Sequence, residues 1–105
     1  MEKVQNFING ELLPPNSGEY FDNFCPATGE AYSLVPDSNS QDVNKAVKAA
    51  NAAYKSWSTM PKQERSDLLM KLADEIHSQS DELVKAESKD NGKPEWLARA
   101  GDIPR

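Results

Sequence analysis

The spacing of apolar residues changes near residue 38, and this change limits the chain to a fold with strands first and helices afterwards. Between residues 41 and 57, apolar side chains recur every three or four positions, which is the spacing of an amphipathic helix. Ser40 is the predicted N-cap, and Asp42 places a carboxylate in the first turn, where it complements the helix dipole. We therefore expect residues 39–105 to form a helical part.

Three further helices are expected in this part of the chain. Pro61 suits the first turn of the second helix. The apolar residues at helical spacing after it predict a buried stripe, which consists of Leu68, Leu69, Leu72, Ala73 and Ile76. A third, shorter helix is predicted to begin at Ser80 and to end at Gly92, and residues 95–100 are expected to form a fourth that Gly101 and Pro104 disturb.

Residues 1–38 have the pattern of short strands separated by turns. Asn9-Gly10 stands between two apolar runs, which is a strong signal for a β-hairpin. Residues 20–24 and 31–35 are predicted strands, and Pro-Ala-Thr-Gly at residues 26–29 is a predicted turn between them. The whole pattern predicts an α+β piece, with strands and turns over 1–38 and helices over 39–105.

The segment at residues 87–94 combines a helix stop with one charge that a stop does not need. Gly92 can adopt the left-handed backbone after a helix, Lys93 complements the negative helix end, and Pro94 prevents continuation. Asp90 instead places a carboxylate where the helix dipole is already negative. We therefore expect Asp90 to be compensated by a cation or by hydrogen-bond donors.

Composition excludes several classes of function. The formal net charge of −5 over 105 residues argues against nucleic acid as a partner, because phosphate recognition requires an excess of Lys and Arg on one face. The single cysteine allows no intrachain disulfide and suits a reducing compartment. No apolar run approaches membrane-spanning length, so no membrane association is expected and a cytoplasmic location is predicted.

Few side chains stand in a sequence pattern that is typical of a catalytic or binding site. Cys25 could be a nucleophile, but it has neither a predicted helix N-terminus nor a histidine nearby in sequence, and a packed thiol is the stronger interpretation. His77 is expected to be an ordinary helix residue, and Arg65 to form a structural ion pair. The five glycines form no phosphate-binding loop. We therefore predict no catalytic residue and no dinucleotide-binding residue within this stretch.

Several segments, taken in order, resemble the N-terminal region of NAD(P)-dependent aldehyde dehydrogenases. The clearest are Phe-Ile-Asn-Gly-Glu at 7–11, Pro-Ala-Thr-Gly-Glu at 26–30, the helical run at 42–50 and Glu-Ser-Lys-Asp-Asn-Gly-Lys-Pro at 87–94. Trp57, Glu64-Arg65 and Leu72-Ala73-Asp74 continue the match. The Asp-Ile-Pro-Arg ending at residues 102–105 resembles the branch that acts on 2-aminomuconic or 2-hydroxymuconic semialdehyde.

The resemblance implies a scaffold that belongs to an α/β enzyme. The enzyme would oxidise an aldehyde to a carboxylic acid with NAD or NADP, as a homodimer or homotetramer, and the hairpin would lie near a subunit contact. The catalytic cysteine, the general-base glutamate, the oxyanion-hole asparagine and the Rossmann-type strands would all lie beyond residue 105. Cys25 stands where relatives usually carry asparagine, so the resemblance assigns it no nucleophilic role.

The resemblance also implies a site for a monovalent cation. Some family members bind Na⁺ or K⁺ through a backbone carbonyl before the Pro-x-Thr-Gly-Glu turn and through a carboxylate of the Asp-Asn-Gly-Lys-Pro segment. In this chain, the corresponding residues are Asn23, Phe24 and Asp90, and oxygen ligands suit such hard cations. An Asp90 carboxylate that accepts hydrogen bonds from local backbone N–H groups is the alternative.

Two other functions stay open at this point. The chain could be a stand-alone, non-catalytic helical interaction domain. It could also belong to a CoA-acylating or phosphorylating aldehyde dehydrogenase, since these enzymes share the early scaffold. In each case, we expect the 105-residue chain alone neither to oxidise aldehydes nor to bind NAD.

Overall fold

The computed structural model describes all 105 residues and has strands first and helices afterwards. The strands are β1 (Glu2–Lys3), β2 (Asn6–Ile8), β3 (Glu11–Leu13), β4 (Tyr20–Phe24) and β5 (Ala31–Pro36). The helices are α1 (Ser40–Thr59), α2 (Lys62–Ser78), α3 (Ser80–Asn91) and α4 (Glu95–Leu97), and a π-helical turn (Ala98–Asp102) follows α4. The predicted order of strands and helices is confirmed.

The contacts divide the chain into two compact units. Unit 1 contains Met1–Phe24 and Ala31–Thr59, and unit 2 contains Cys25–Glu30 and Met60–Arg105. All strands therefore belong to unit 1 together with α1, whereas the turn after β4 belongs with the later helices. The predicted domain division, with strands and turns over 1–38 and a helical scaffold over 39–105, stays a prediction.

The hairpin in unit 1 forms at the predicted place. Strands β2 and β3 pair antiparallel, with Phe7 opposite Leu12. The two turn residues, Asn9 and Gly10, have φ values of 53° and 80°. Positive φ at both positions is the requirement of a type I′ turn, whose twist matches that of the flanking strands. The hairpin prediction is confirmed for this physical reason.

The second sheet of unit 1 has the order β1-β5-β4, with β5 at its centre. Strand β1 runs parallel to β5, and β4 runs antiparallel to it. The β4–β5 register shifts between Asn23 and Phe24, because Asn23 pairs with Ser33 whereas Phe24 pairs with Ala31. Tyr32 is thus the extra residue of a β-bulge, a feature that interrupts the ladder and bends the strand.

Helix α1 begins one residue before the predicted start of the helix. Its N-cap is Asn39 rather than the predicted Ser40. The Asn39 Oδ1 accepts hydrogen bonds from the backbone N–H groups of Gln41 at 3.0 Å and Asp42 at 3.4 Å. In return, Asp42 Oδ2 accepts the backbone N–H of Asn39 at 2.9 Å. This reciprocal pair is a capping box. The Ser40 prediction was wrong because the Asn39 side chain satisfies the free N–H groups first.

The apolar stripe of α2 is exposed, which contradicts the predicted burial. Leu68, Leu69, Leu72 and Ile76 are 44%, 57%, 56% and 39% exposed, and no residue of α2 is buried. Unit 2 supplies only the 25–30 turn, α3 and the last helical turns beside α2, and these elements are too small to enclose a helix of 17 residues. The helical spacing was correct, but the elements of unit 2 leave the apolar face of α2 largely exposed.

The small core of unit 2 lies between α3 and the turns after it. Val84 of α3 and Ala98 of the π-helical turn are both fully buried.

Helix α3 ends at Gly92, which adopts the left-handed conformation with φ 79°. The predicted start at Ser80 and stop at Gly92 are therefore confirmed. The predicted fourth helix is only Glu95–Leu97, and its continuation widens into the π-helical turn near Gly101.

Candidate functional site

The turn at residues 25–30 of unit 2 is closed by backbone hydrogen bonds. The Cys25 carbonyl accepts the N–H groups of Thr28 at 3.2 Å and Gly29 at 2.8 Å. The Cys25 N–H donates to the Glu30 carbonyl at 2.9 Å, and Gly29 supplies the positive φ of 73° that the turn requires. Pro-Ala-Thr-Gly therefore forms the predicted turn, and its geometry is set by backbone bonds.

Cys25 is buried at the start of this turn, with 8% of its surface exposed. The Thr28 side chain hydrogen-bonds to the thiol and is the main cause that lowers the pKa of Cys25 below its ordinary value. The Ala27 backbone N–H also lowers this pKa, whereas burial opposes the shift. A buried thiol with local partners agrees with a packed side chain. That Cys25 has no catalytic role stays a prediction.

Gly92 and Pro26 bring two of the family-like segments together within unit 2. A Cβ atom at Gly92 would lie 3.1 Å from the Pro26 Cβ. The Gly92 N–H donates to the Ser88 carbonyl at 2.9 Å, which closes the end of α3. Gly92 therefore meets two requirements, since it supplies the left-handed backbone and leaves room for the proline ring.

Lys93 is held by three hydrogen bonds directly after this stop. Its N–H donates to Asn91 Oδ1 at 2.8 Å, and its carbonyl accepts the Ser88 hydroxyl at 2.5 Å. Its Nζ pairs with Asp102 Oδ2 at 2.6 Å, and both side chains are about a third exposed (36% and 29%). Lys93 thus ties the end of α3 to the π-helical turn. This role exceeds the interaction with the helix dipole that the sequence predicts for Lys93.

The residues of the predicted cation site divide between the two units. Asn23 and Phe24 lie at the end of β4 in unit 1, and Asp90 lies in the last turn of α3 in unit 2. The Asn23 Nδ2 donates to the Tyr32 hydroxyl at 3.0 Å and to Ser33 Oγ at 3.3 Å. The β-bulge falls beside Asn23 and Phe24, the residues expected to supply a carbonyl ligand. The chain contains no group of three or more His, Cys, Asp or Glu residues suited to a metal ion. The cation site stays a prediction.

Asp42 has a larger role in the structure than the complement to the helix dipole that the sequence predicts. Its side chain is 7% exposed, and besides the capping bond its Oδ1 accepts the Asn16 N–H at 2.9 Å. One carboxylate therefore joins the loop before β4 to the start of α1 within unit 1. The Asn39-x-x-Asp42 spacing of a capping box was visible in the sequence, but the bond from Asn16 crosses 26 positions and had no local signal.

Arg65 does not form the ion pair that was predicted for it. Arg65 takes part in neither the Lys93–Asp102 salt bridge nor the more exposed Arg99–Asp81 pair. The Nε atom of Arg65 is buried and has no hydrogen-bond partner.

His77 lies in the last turn of α2 and lines a cavity of about 480 Å³ in unit 2, together with apolar residues such as Val84 and Ile103.

Comparison with known proteins identifies the family. Residues 13–105 match the aldehyde dehydrogenase family. Together with the strands, the helices and the Gly92–Pro26 contact described above, this match shows that the chain belongs to the aldehyde dehydrogenase family. It corresponds to the N-terminal portion of such enzymes.

Individual relatives agree with this assignment. A Bos taurus protein described as 2-aminomuconic semialdehyde dehydrogenase is 48% identical over 102 residues, which are 97% of this chain and 20% of the relative. A Vibrio cholerae aldehyde dehydrogenase is 46% identical over 99 residues, 94% of this chain and 20% of the relative. The chain thus spans about a fifth of the length of the curated relatives it matches.

Solved structures show the same fold. The NAD⁺ complex of an aldehyde dehydrogenase from Bacillus cereus superposes with a TM-score of 0.92 at 39% identity. The superposition covers 97% of this chain and 21% of that one. The predicted fold class is therefore confirmed.

In this structure, no helix has both the length and the apolar character to cross a membrane.

Proposed function

We propose that this chain is the N-terminal scaffold of an aldehyde dehydrogenase that oxidises an aldehyde to a carboxylic acid. The match of residues 13–105 to the family carries this proposal. In the family mechanism, a cysteine thiolate adds to the aldehyde carbonyl and a glutamate-activated water later releases the acid. Bound NAD or NADP supplies the acceptor for the hydride. The residues that perform these steps would come from outside the 105-residue stretch.

A muconic semialdehyde is the substrate that we favour. The Asp-Ile-Pro-Arg sequence at residues 102–105 resembles the branch that acts on such compounds. The bovine relative, 48% identical, is described as a 2-aminomuconic semialdehyde dehydrogenase. Both observations support the substrate class through relationship and not through binding geometry.

Within this scaffold, residues 1–38 would supply the strands and residues 39–105 the helices that precede a Rossmann-type cofactor core. We assign no residue of this chain to the dinucleotide. The five glycines lie singly and do not form a phosphate cradle. Gly10, Gly18 and Gly29 occupy separate turns, Gly92 ends a helix, and Gly101 lies in the π-helical turn. The contribution of this chain would be to position other elements.

Assembly and location follow from the same proposal. We expect a homodimer or homotetramer in the cytoplasm, with the β2–β3 hairpin near a subunit contact. Phe7 and Leu12, which pair across the hairpin, are 72% and 70% exposed. A pair of large apolar side chains on an exposed hairpin is a suitable contact surface.

The proposal also includes a structural Na⁺ or K⁺, which would be held by Asn23, Phe24 and Asp90.

A chimera tests the proposed activity. In this chimera, residues 1–105 replace the matched 102-residue stretch of the bovine relative. We expect the chimera to produce NADH from 2-aminomuconic or 2-hydroxymuconic semialdehyde, because the scaffold would be interchangeable. An assembled chimera that oxidises none of a panel of aldehydes would contradict the proposal.

The 105-residue chain alone is the matched control. We expect it to show no NADH formation and no NAD binding by calorimetry. Purified chain that produced NADH would contradict the assignment of the catalytic residues to other parts of the enzyme. If a longer protein that includes this chain formed acyl-CoA, that result would instead favour a CoA-acylating enzyme.

A further inference from the structure

The dipeptide Asn-Gly occurs twice in this chain, at residues 9–10 and at residues 91–92. Asparagine is a thermolabile residue. It is most labile before glycine, because glycine has no side chain to shield its backbone nitrogen from the asparagine amide. Asn9 and Asn91 are both exposed, so exposure does not distinguish the two pairs. Their hydrogen bonds and their surroundings do.

The pair at 91–92 is held in place at the end of α3. The Asn91 Nδ2 donates to Glu87 Oε1 at 2.7 Å, and the Asn91 Oδ1 accepts the Lys93 N–H at 2.8 Å. The Gly92 N–H donates at 2.9 Å to a carbonyl in the last turn of α3. Pro26 fills the space beside Gly92. A reaction between Asn91 and Gly92 therefore requires three hydrogen bonds to break and the helix end to unwind.

The pair at 9–10 lies free at the tip of the β2–β3 hairpin. The Asn9 side chain forms no hydrogen bond, and the last pair of the ladder is Ile8 with Glu11. The hydrogen bond of such a turn joins the residues that flank the central pair, which leaves the Gly10 N–H without an acceptor. No heavy atom would lie within 4 Å of a Cβ at Gly10. The tip therefore has both a free nucleophile and room for movement.

The hairpin tip is also easier to distort than the end of α3. Asn9 has φ 53°, a left-handed conformation that is unfavourable for residues other than glycine. Strands β2 and β3 have three residues each, and a two-stranded hairpin has only marginal stability by itself. We therefore expect Asn9 to reach other backbone conformations more often than Asn91 does.

We propose that Asn9 is a site of spontaneous deamidation. The Gly10 nitrogen loses its proton to solvent and attacks the Asn9 Cγ. A bond forms between this nitrogen and Cγ, the Cγ–Nδ2 bond breaks, and the amide nitrogen takes up a proton and leaves as ammonia. Water then opens the succinimide ring. Cleavage of the new bond gives aspartate at position 9, and cleavage of the original peptide bond gives isoaspartate. Water is the only co-reactant, and no group is oxidised or reduced.

The two products affect the hairpin differently. Both add one negative charge to the formal net charge of −5, at the tip of the hairpin that carries the exposed Phe7–Leu12 pair. Aspartate retains the turn, because Asp-Gly also suits type I′. Isoaspartate adds a methylene group to the main chain, so it disturbs the strand register that the turn length fixes.

The test is peptide mapping of the 105-residue chain during incubation in neutral buffer. Cleavage after glutamate gives the peptides 3–11 and 88–95, each with one Asn-Gly pair. Mass spectrometry detects the replacement of NH₂ by OH, and fragmentation distinguishes Asn9 from Asn6. We expect deamidation at Asn9 to be on the order of tenfold or more faster than at Asn91, because hydrogen bonds protect Asn91. Equal rates overturn the inference.

Two controls separate the effect of structure from that of local sequence. In guanidinium chloride both segments are unfolded, so the two peptides should react at similar rates. A difference that persists there overturns the argument from structure. Asn9→Gly keeps a turn that Gly-Gly permits and should abolish the change in the 3–11 peptide. Chains enriched in isoaspartate should melt at a lower temperature than the Asn9→Asp variant, and equal melting temperatures would refute the effect on the hairpin.

The chimera provides a second measurement that does not depend on how the 105-residue chain folds by itself. We again expect the 3–11 peptide to react faster than the 88–95 peptide. A chimera in which it reacts no faster overturns the inference. The outcome is independent of aldehyde oxidation, so an inactive chimera refutes the proposed function and leaves the deamidation result readable.

Discussion

Gly92 at the end of α3 lies against Pro26 in the 25–30 turn, so that a Cβ atom at position 92 would be 3.1 Å from the proline Cβ. The two residues are 66 positions apart and belong to the Pro-Ala-Thr-Gly-Glu and Asp-Asn-Gly-Lys-Pro segments. Each segment has a local role as a turn or a helix stop. Their contact shows that they also form one packed feature of unit 2.

The Gly92→Ala variant should destabilise the chain by about 2 kcal/mol, because alanine is strained at φ 79° and its methyl group would press on Pro26. Urea unfolding followed by circular dichroism measures this change. Gly18→Ala is the control, since φ is 75° there and no heavy atom lies within 4 Å of the added Cβ. It should lose only about 1 kcal/mol. Equal losses would mean that the contact with Pro26 contributes nothing.

Removal of the Asp42 carboxylate should destabilise unit 1 by about 2–3 kcal/mol, because two backbone N–H groups would lose a charged acceptor. Those groups belong to Asn16 and Asn39, each 2.9 Å from a carboxylate oxygen. The experiment compares urea unfolding of Asp42→Ala with that of Asp74→Ala, which changes an exposed residue of α2. Asp42→Asn, which keeps one carbonyl acceptor, should fall between them. If Asp42→Ala is as stable as Asp74→Ala, the carboxylate does not join these elements.

The Lys93–Asp102 pair should contribute about 0.5–1 kcal/mol, and the contribution should decrease as salt is added. A double-mutant cycle with Lys93→Met and Asp102→Asn isolates the interaction. The Arg99–Asp81 pair has the same 2.6 Å separation but is more exposed, with side chains 50% and 79% accessible. Its coupling should be close to zero. A larger coupling for Arg99–Asp81 would contradict the argument from exposure.

The Cys25 thiol should titrate below its ordinary pKa because Thr28 hydrogen-bonds to it. Thr28→Val should raise the pKa of Cys25, whereas Thr28→Ser should preserve it, and alkylation rates measured against pH report both. Because the pKa of the folded state is the lower one, this group stabilises the fold at pH values above the unfolded-state pKa, and that stability is lost as pH falls through the folded-state pKa. Cys25→Ser should remove this pH dependence. An unchanged alkylation profile in Thr28→Val would rule out the hydroxyl as its cause.

Asp90→Asn should weaken the response of the chimera to monovalent cations if Asn23, Phe24 and Asp90 hold Na⁺ or K⁺. Replacement of K⁺ by a bulky organic cation at constant ionic strength should lower the melting temperature of the parent chimera but not that of Asp90→Asn. Asp74→Asn, at an exposed position on α2, controls for the loss of one negative charge. The cation hypothesis is abandoned if the parent and Asp90→Asn respond to K⁺ alike.

The sequence alone determined the features that depend on backbone preference. Asn9-Gly10 specified a type I′ turn because both positions must adopt positive φ. Gly92 and Pro94 ended α3 because one permits the left-handed backbone and the other prevents continuation of the helix. Helical spacing likewise located α1, α2 and α3. These local rules, with the segments that resemble the family, were sufficient for the fold class and the family.

Only the tertiary structure decided which side chains are covered and which polar groups meet. The α2 stripe has the spacing of a buried face, yet it is exposed, because burial depends on what packs against the helix and not on the helix itself. The Asp42 bond to Asn16, the Lys93–Asp102 pair and the Gly92–Pro26 contact join residues whose distance in sequence carries no local signal. Periodicity sets the direction in which a side chain points along its element, whereas the packing of elements determines what it touches.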